Sequence, residues 1–163
     1  MKIVVALTLS LLILVNPLSA HEARDCDLSV FCFEIVRTFN KPVIFSFDKM
    51  GEENMLLVKV YSGQGGYDWG QVETRLVREL EDKQVAKLEQ LLAAALNLPD
   101  SVEGGLDGSM WYLTVPRHGS YLRVGYWTPT YKPEDRQLQD FYNFGMYLWE
   151  ISKVTNHDVG DLY

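Results

Sequence analysis

The sequence predicts an α+β domain: an antiparallel sheet of about five strands with two main helices packed on one face. Three observations predict it. Short runs rich in aromatic and β-branched residues, separated by turn residues, fill the first half. At Asp82 the apolar spacing changes from two to three and four. A second strand pair between residues 110 and 127 then leads into another segment of helical spacing. Strands, helix, hairpin and helix follow in that order.

Residues 31–39 and 42–47 read as the first two strands, with Asn40-Lys41 as a two-residue connection. Residues 50–54 carry turn chemistry, and 55–61 form a third strand. Ser62-Gly63-Gln64-Gly65-Gly66 breaks regular structure. This segment lacks the Gly-Lys-Ser/Thr ending of a phosphate-binding loop and opens no helix, so it reads as a flexible surface loop with a capacity for binding. Val72, Thr74, Leu76 and Leu80 resume a partly alternating strand pattern.

Asp82 stands at the N-cap position of a helix whose apolar positions are Val85, Leu88, Leu91, Leu92, Ala95 and Leu96. Asn97 and Pro99 stop it. A loop over 99–108 contains three glycines, Gly104, Gly105 and Gly108. In the hairpin that follows, Trp111, Leu113 and Val115 alternate with Met110, Tyr112 and Thr114. On the return strand Tyr121, Arg123 and Trp127 alternate with Leu122, Val124 and Tyr126, and Arg117-His118-Gly119-Ser120 makes the turn. Pro133 suits a first helical turn, and Glu134-Asp135 suit the positive end of a helix dipole. Leu138, Phe141, Tyr142, Leu148, Trp149 and Ser152 mark one face of that second helix.

The first twenty residues predict where the protein works. Lys2 supplies a positive start, residues 3–15 are almost wholly apolar, and Asn16-Pro17-Leu18-Ser19-Ala20 ends in small residues. This is the pattern of a secretory signal cut before His21. The apolar run is shorter than the roughly 20 residues a membrane-spanning helix needs. Cys26 lies too far from the small-residue site to be a lipid anchor. The expectation is an exported, periplasmic or secreted protein with no membrane association after cleavage. Residues 1–20 are then the signal and 21–163 a single domain, ordered over about 26–155.

The whole sequence carries 15 basic and 22 acidic side chains, a net charge of −7. Removing residues 1–20 takes away one lysine and no acid, so the mature chain is one unit more acidic. That balance argues against a nucleic-acid or anionic-lipid partner and favours a basic protein. Surplus acid that only keeps an exported protein soluble fits the same charge.

The two cysteines, Cys26 and Cys32, are six residues apart. A fully extended run would hold their Cα atoms about 20 Å apart, so a disulfide requires a turn through Asp27-Leu28-Ser29. An oxidising compartment favours that bridge; two reduced cysteines are the alternative. The Cys-x-x-Cys spacing of a redox catalyst is missing.

Leu106-Asp107-Gly108-Ser109-Met110-Trp111, Tyr121 and Trp127-Thr128-Pro129, with the upstream Phe39-x-x-Pro42-Val43, resemble a group of short, often exported bacterial proteins of unknown function. In these a Leu-Asp-Gly-x-x-Trp segment leads into a hairpin with a Trp-x-Pro exit. The resemblance covers most of the mature chain and implies the same order of strands and helices. At Thr114 this chain carries a hydroxyl where an acid is usual in the group.

Six residues are the candidates for a recognition surface: Tyr67 and Trp69 in the Gly-rich loop, Asp107 before the hairpin, and Trp111, Tyr126 and Trp127 within it. Exposed Tyr and Trp near Arg123 suit protein recognition; the same aromatics serve equally as core. Asp107 either accepts backbone hydrogen bonds and holds a turn, with Gly108 at positive φ, or faces a ligand. No nucleophile elbow or His-Glu-x-x-His helix occurs, and the acid pairs lie in turns and helix starts. The leading expectation is a non-enzymatic protein-binding domain of the inhibitor or immunity type, without catalytic residues, metal or cofactor. A small envelope enzyme or metal-binding protein using His21, Asp107 and His118 is the alternative.

Overall fold

The computed structural model describes residues 30–51, 53–98, 105 and 107–155. Four strands come first: β1 (Phe31–Arg37), β2 (Val43–Met50), β3 (Glu53–Tyr61) and β4 (Val72–Glu79). Helix α1 (Asp82–Ala95) follows, then β5 (Ser109–Arg117), β6 (Ser120–Trp127) and α2 (Gln139–Ser152). The six strands form one sheet in the order β4-β3-β2-β1-β5-β6, and every neighbouring pair is antiparallel. The fold is thus α+β, with six strands where about five are expected.

Strand alternation decides which side chains meet the helices. Phe33 lies in register with Phe45, then Val58 and Leu76, on one side. On the other side it aligns with Leu113 and Val124. Phe33, Phe45, Val58 and Leu113 belong to the core formed with Val85, Leu88, Phe141, Phe144, Leu148 and Ile151 of the helices, and the partly buried Leu76 and Val124 pack against it. Phe33 is its centre, with ring centroids 5.7 Å from Trp111, 5.5 Å from Phe141 and 5.3 Å from Phe144. Such edge and tilted contacts suit aromatic quadrupoles. β1 sits inside the sheet and is covered on both faces, so its Phe-Cys-Phe-Glu-Ile run is buried throughout.

Several local expectations change. β1 stops at Arg37, so the link to β2 is 38–42, not Asn40-Lys41 alone. Glu81, not Asp82, caps α1; its backbone N–H donates to Gln84 Oε1 at 3.0 Å, a capping-box contact. Pro133 does not open α2. Residues 133–137 form a separate turn that ends where Gln137 adopts φ +57°, and the helix begins at Gln139. The expected segments 21–27 and 99–104, and the tail from 156, lie outside the described residues.

The two ends of the sheet differ. At one end the connections are tight: β2 and β3 turn at Gly51, φ +68°, and β5 and β6 turn through His118 and Gly119, both at positive φ. Positive φ at both central residues is the type I′ geometry that matches strand twist. At the opposite end lie the longer connections 38–42, 62–71 and 128–138, together with 105–108 leading into β5.

Candidate functional site

Thr38 ties this longer-looped end together. Its N–H donates to the Gly108 carbonyl at 3.0 Å and its hydroxyl to the same oxygen at 3.1 Å. On its other side the backbone of Gly66 packs against it so closely that a Cβ at Gly66 would stand 3.0 Å from Thr38 Cα. Gly65 N–H donates to the Asn40 carbonyl, and a Cβ at Gly65 would come within 2.9 Å of the Arg37 carbonyl oxygen. The buried Arg37 guanidinium in turn donates to the Lys41 carbonyl. The Gly-rich segment is therefore a folded hairpin extension pressed onto the end of β1. Ser62 N–H to Gln71 O, Gly63 N–H to Trp69 O and Tyr67 N–H to Gln64 O close it.

This packing divides the two aromatic candidates of that loop. Trp69 turns inward, edge-on to Tyr61 at 5.1 Å, and joins a small cluster with Ile44 and Cys32. Tyr67 turns outward and is 74% exposed, with Phe39, 61% exposed, 6.3 Å away. Two large exposed rings side by side on a backbone-anchored loop form a surface feature of the kind that binding hot spots use.

On the other side of Thr38, Trp127 Nε1 donates to the Asp107 carbonyl at 3.0 Å. A Cβ at Gly105 would strike the Trp127 ring at 2.1 Å, and one at Gly108, φ +132°, would strike Thr128 Oγ1 at 2.2 Å. Ser109 and Thr128 complete the seam, with Thr128 N–H to Ser109 O at 2.6 Å and Ser109 N–H to Thr128 Oγ1 at 3.2 Å. Arg136 donates to the carbonyls of Trp127, Thr128 and Tyr131. Asp107 holds this turn through its backbone; among the described residues its exposed carboxylate accepts no hydrogen bond. Asp68, Asp107, Glu134 and Asp135 are exposed around this end, and Lys41 is paired with Glu73 at 2.5 Å.

The sequence-expected candidates thus divide by strand parity. Trp111 and Tyr126 point to the helices: Trp111 stacks with Tyr142 at 6.4 Å, and Tyr126 meets Phe141 at 4.7 Å. Both are buried and reach no ligand at the surface. Tyr67, Asp107 and Trp127 are gathered at one end of the sheet. Arg123 is not part of that surface. Its guanidinium grips Glu34 at 2.6 and 3.2 Å on the sheet face opposite the helices, and its planar group lies 4.2 Å from the Tyr112 ring centre.

Sequence reasoning missed Phe39, read as a strand residue, and Thr38. The signal available for Phe39 was its position beside Asn40-Lys41 in a turn. Asp107 and His118 lie at opposite ends of β5, about 30 Å apart by strand rise, so the trio His21, Asp107 and His118 is not brought together. His21 and Cys26 are outside the described residues; Cys32 is buried. In comparisons with known proteins no family model matches the chain, and no curated protein or solved structure matches it significantly.

Proposed function

We propose that this chain is an exported, non-enzymatic domain that binds a basic protein, as an inhibitor or immunity-type factor does, through the loop end of its sheet. The observation that carries this reading is the exposed Phe39–Tyr67 pair, fixed on a loop whose glycines pack directly on the β1 backbone. Pre-ordered aromatic anchors lose little conformational entropy on association. The surrounding acids, Asp68, Asp107, Glu134 and Asp135, suit a basic partner and would speed its approach.

Export rests on the leader pattern of residues 1–20. In an oxidising compartment Cys26 and Cys32 form a disulfide that pins the chain just ahead of β1. The test is capture from an envelope extract at physiological salt with the mature protein as bait. A single basic protein should be retained by the wild type and by Tyr121→Ser, an exposed ring at the other end of the sheet. It should be lost with Phe39→Ser/Tyr67→Ser. Retention by the double variant at wild-type level removes the patch from the account.

A further inference from the structure

We infer that two copies of this chain pair through strand β6, antiparallel about a two-fold axis at Val124, and so join their sheets into one. The contact is separate from the Phe39–Tyr67 patch and does not depend on it.

β6 is the last strand of the sheet, so one of its sides has no neighbouring strand. Alternation along an antiparallel ladder decides which backbone groups face that side. Thr128 N–H donates to the Ser109 carbonyl, and the two-residue turn pairs Ser120 with Arg117. Even positions of β6 therefore bond to β5, and the N–H and C=O groups of Tyr121, Arg123 and Gly125 point outward. Among the described residues nothing bonds to them. The edge closes at Trp127, whose carbonyl accepts from Arg136.

An unpaired edge is normally protected by charges, proline or a bulge. β4 follows that rule at the other side of the sheet, with Glu73, Arg75, Arg78 and Glu79. β6 does not. Its eight residues include no proline, lysine or acid, and its register with β5 runs without a shift. Its one charge, Arg123, is turned inward onto Glu34 and lies over the Tyr112 ring.

The occupant that fits this edge is a second β6, because the strand is its own complement. Outward groups sit at odd positions, so two copies bond only where odd opposes odd, and the two-fold axis then falls on a residue. An axis at Arg123 would set two guanidinium groups directly opposite, a destabilising pair. An axis at Leu122 would leave Gly125 without a strand partner. With the axis at Val124, Arg123 of each copy lies opposite Gly125 of the other and can exchange both backbone bonds with it. Gly125 leaves room for this approach. The Tyr112 ring already fills its side-chain position, where a Cβ would stand 2.5 Å from Tyr112 Cδ1. On the helix side Val124 meets Val124 and Leu122 meets Tyr126. Leu122 and Val124 are only partly buried against the core, and the second copy completes their cover. Neither β6 carries an acid, so the net charge of −7 is not concentrated at the contact. Such an isologous contact closes at two copies.

The test uses the mature chain, residues 21–163, with its mass read by sedimentation and its backbone amide exchange read residue by residue by NMR. A short edge contact is at the weak end of protein interfaces, so the measurements are made at about 1 mM and about 20 μM. A dimer is expected at the higher concentration, with the Arg123 and Gly125 amides exchanging about tenfold more slowly in the dimer than in the monomer. The Leu122 and Val124 amides, bonded to β5, should be protected in both. A monomer at about 1 mM overturns the inference and leaves the edge to a strand of a different protein. A dimer whose Arg123 and Gly125 amides exchange freely overturns it as well, because the copies then meet through another surface. Val124→Lys, which places two ammonium groups at the axis, should sediment as a monomer, whereas Val77→Lys on the β4 edge should remain a dimer. A dimer of folded Val124→Lys contradicts the pairing. If that variant does not fold, the exchange pattern of the wild type decides.

Discussion

Glu34 and Arg123 set the chemistry of the sheet face away from the helices. Glu34 is 3% exposed, whereas the Arg123 side chain keeps 28%. Arg123→Ala leaves a buried carboxylate without its cation and strips the guanidinium from Tyr112. Partial exposure of the arginine moderates the loss, so a cost of about 3 kcal/mol in urea unfolding is expected. Replacing both partners, Glu34→Leu with Arg123→Met, removes the desolvation penalty as well and should cost less than Arg123→Ala alone. Tyr147 provides a pH signature. Burial, with the Glu150 charge second, raises its phenol above the ordinary value of 10.0. Above pH 10 the unfolded chain releases this proton before the folded one, so the contribution is complete below pH 10 and falls as pH rises through the folded value. The stability advantage of wild type over Tyr147→Phe, measured by denaturant titration, should therefore shrink above pH 10. Residue-level environment was the least legible part of the sequence. Glu34 reads as an ordinary interruption of an apolar strand, because its partner lies 89 positions away.

Helix α2 packs on the sheet through Gly145. A Cβ there would stand 2.3 Å from Trp111 Cζ3 and 3.0 Å from Phe33 Cζ. Gly145→Ala gains about 1 kcal/mol of helix propensity. It also drives a methyl group into two fully buried rings, an overpacking cost of about 1–3 kcal/mol or more. The steric cost should win, with a lowered midpoint in thermal unfolding; a raised midpoint would refute the close approach. Periodicity made the elements themselves legible, because strand alternation and the Val85-Leu88 spacing are local properties. Gln137 in the left-handed region broke the helix start expected at Pro133, since nothing local favours a glutamine there. The Gly65-Gly66 pair read as flexibility, whereas its role is close approach to Arg37 and Thr38. That role depends on a strand 28 residues upstream of Gly65 and no local pattern reveals it.

At the scale of the whole molecule, one end of the sheet is closed by two-residue turns and the other carries the longer loops. Thr38 binds those loops into one surface. Of the two edge strands, β4 carries Glu73, Arg75, Arg78 and Glu79, charges that discourage strand addition. The fold class was readable because composition and period agree across the chain. The candidate surface was half readable. Tyr67, Asp107 and Trp127 do gather at the loop end, but alternation alone did not say which face of the hairpin the helices cover, and Trp111 and Tyr126 fall beneath them. The most direct measurement is a calorimetric titration of the captured basic protein against wild type, Phe39→Ser/Tyr67→Ser and Tyr121→Ser, each verified as folded. Loss of about 2 kcal/mol or more, roughly thirtyfold in Kd, in the double variant alone is the predicted result. Equal affinity for all three proteins would contradict recognition through this surface.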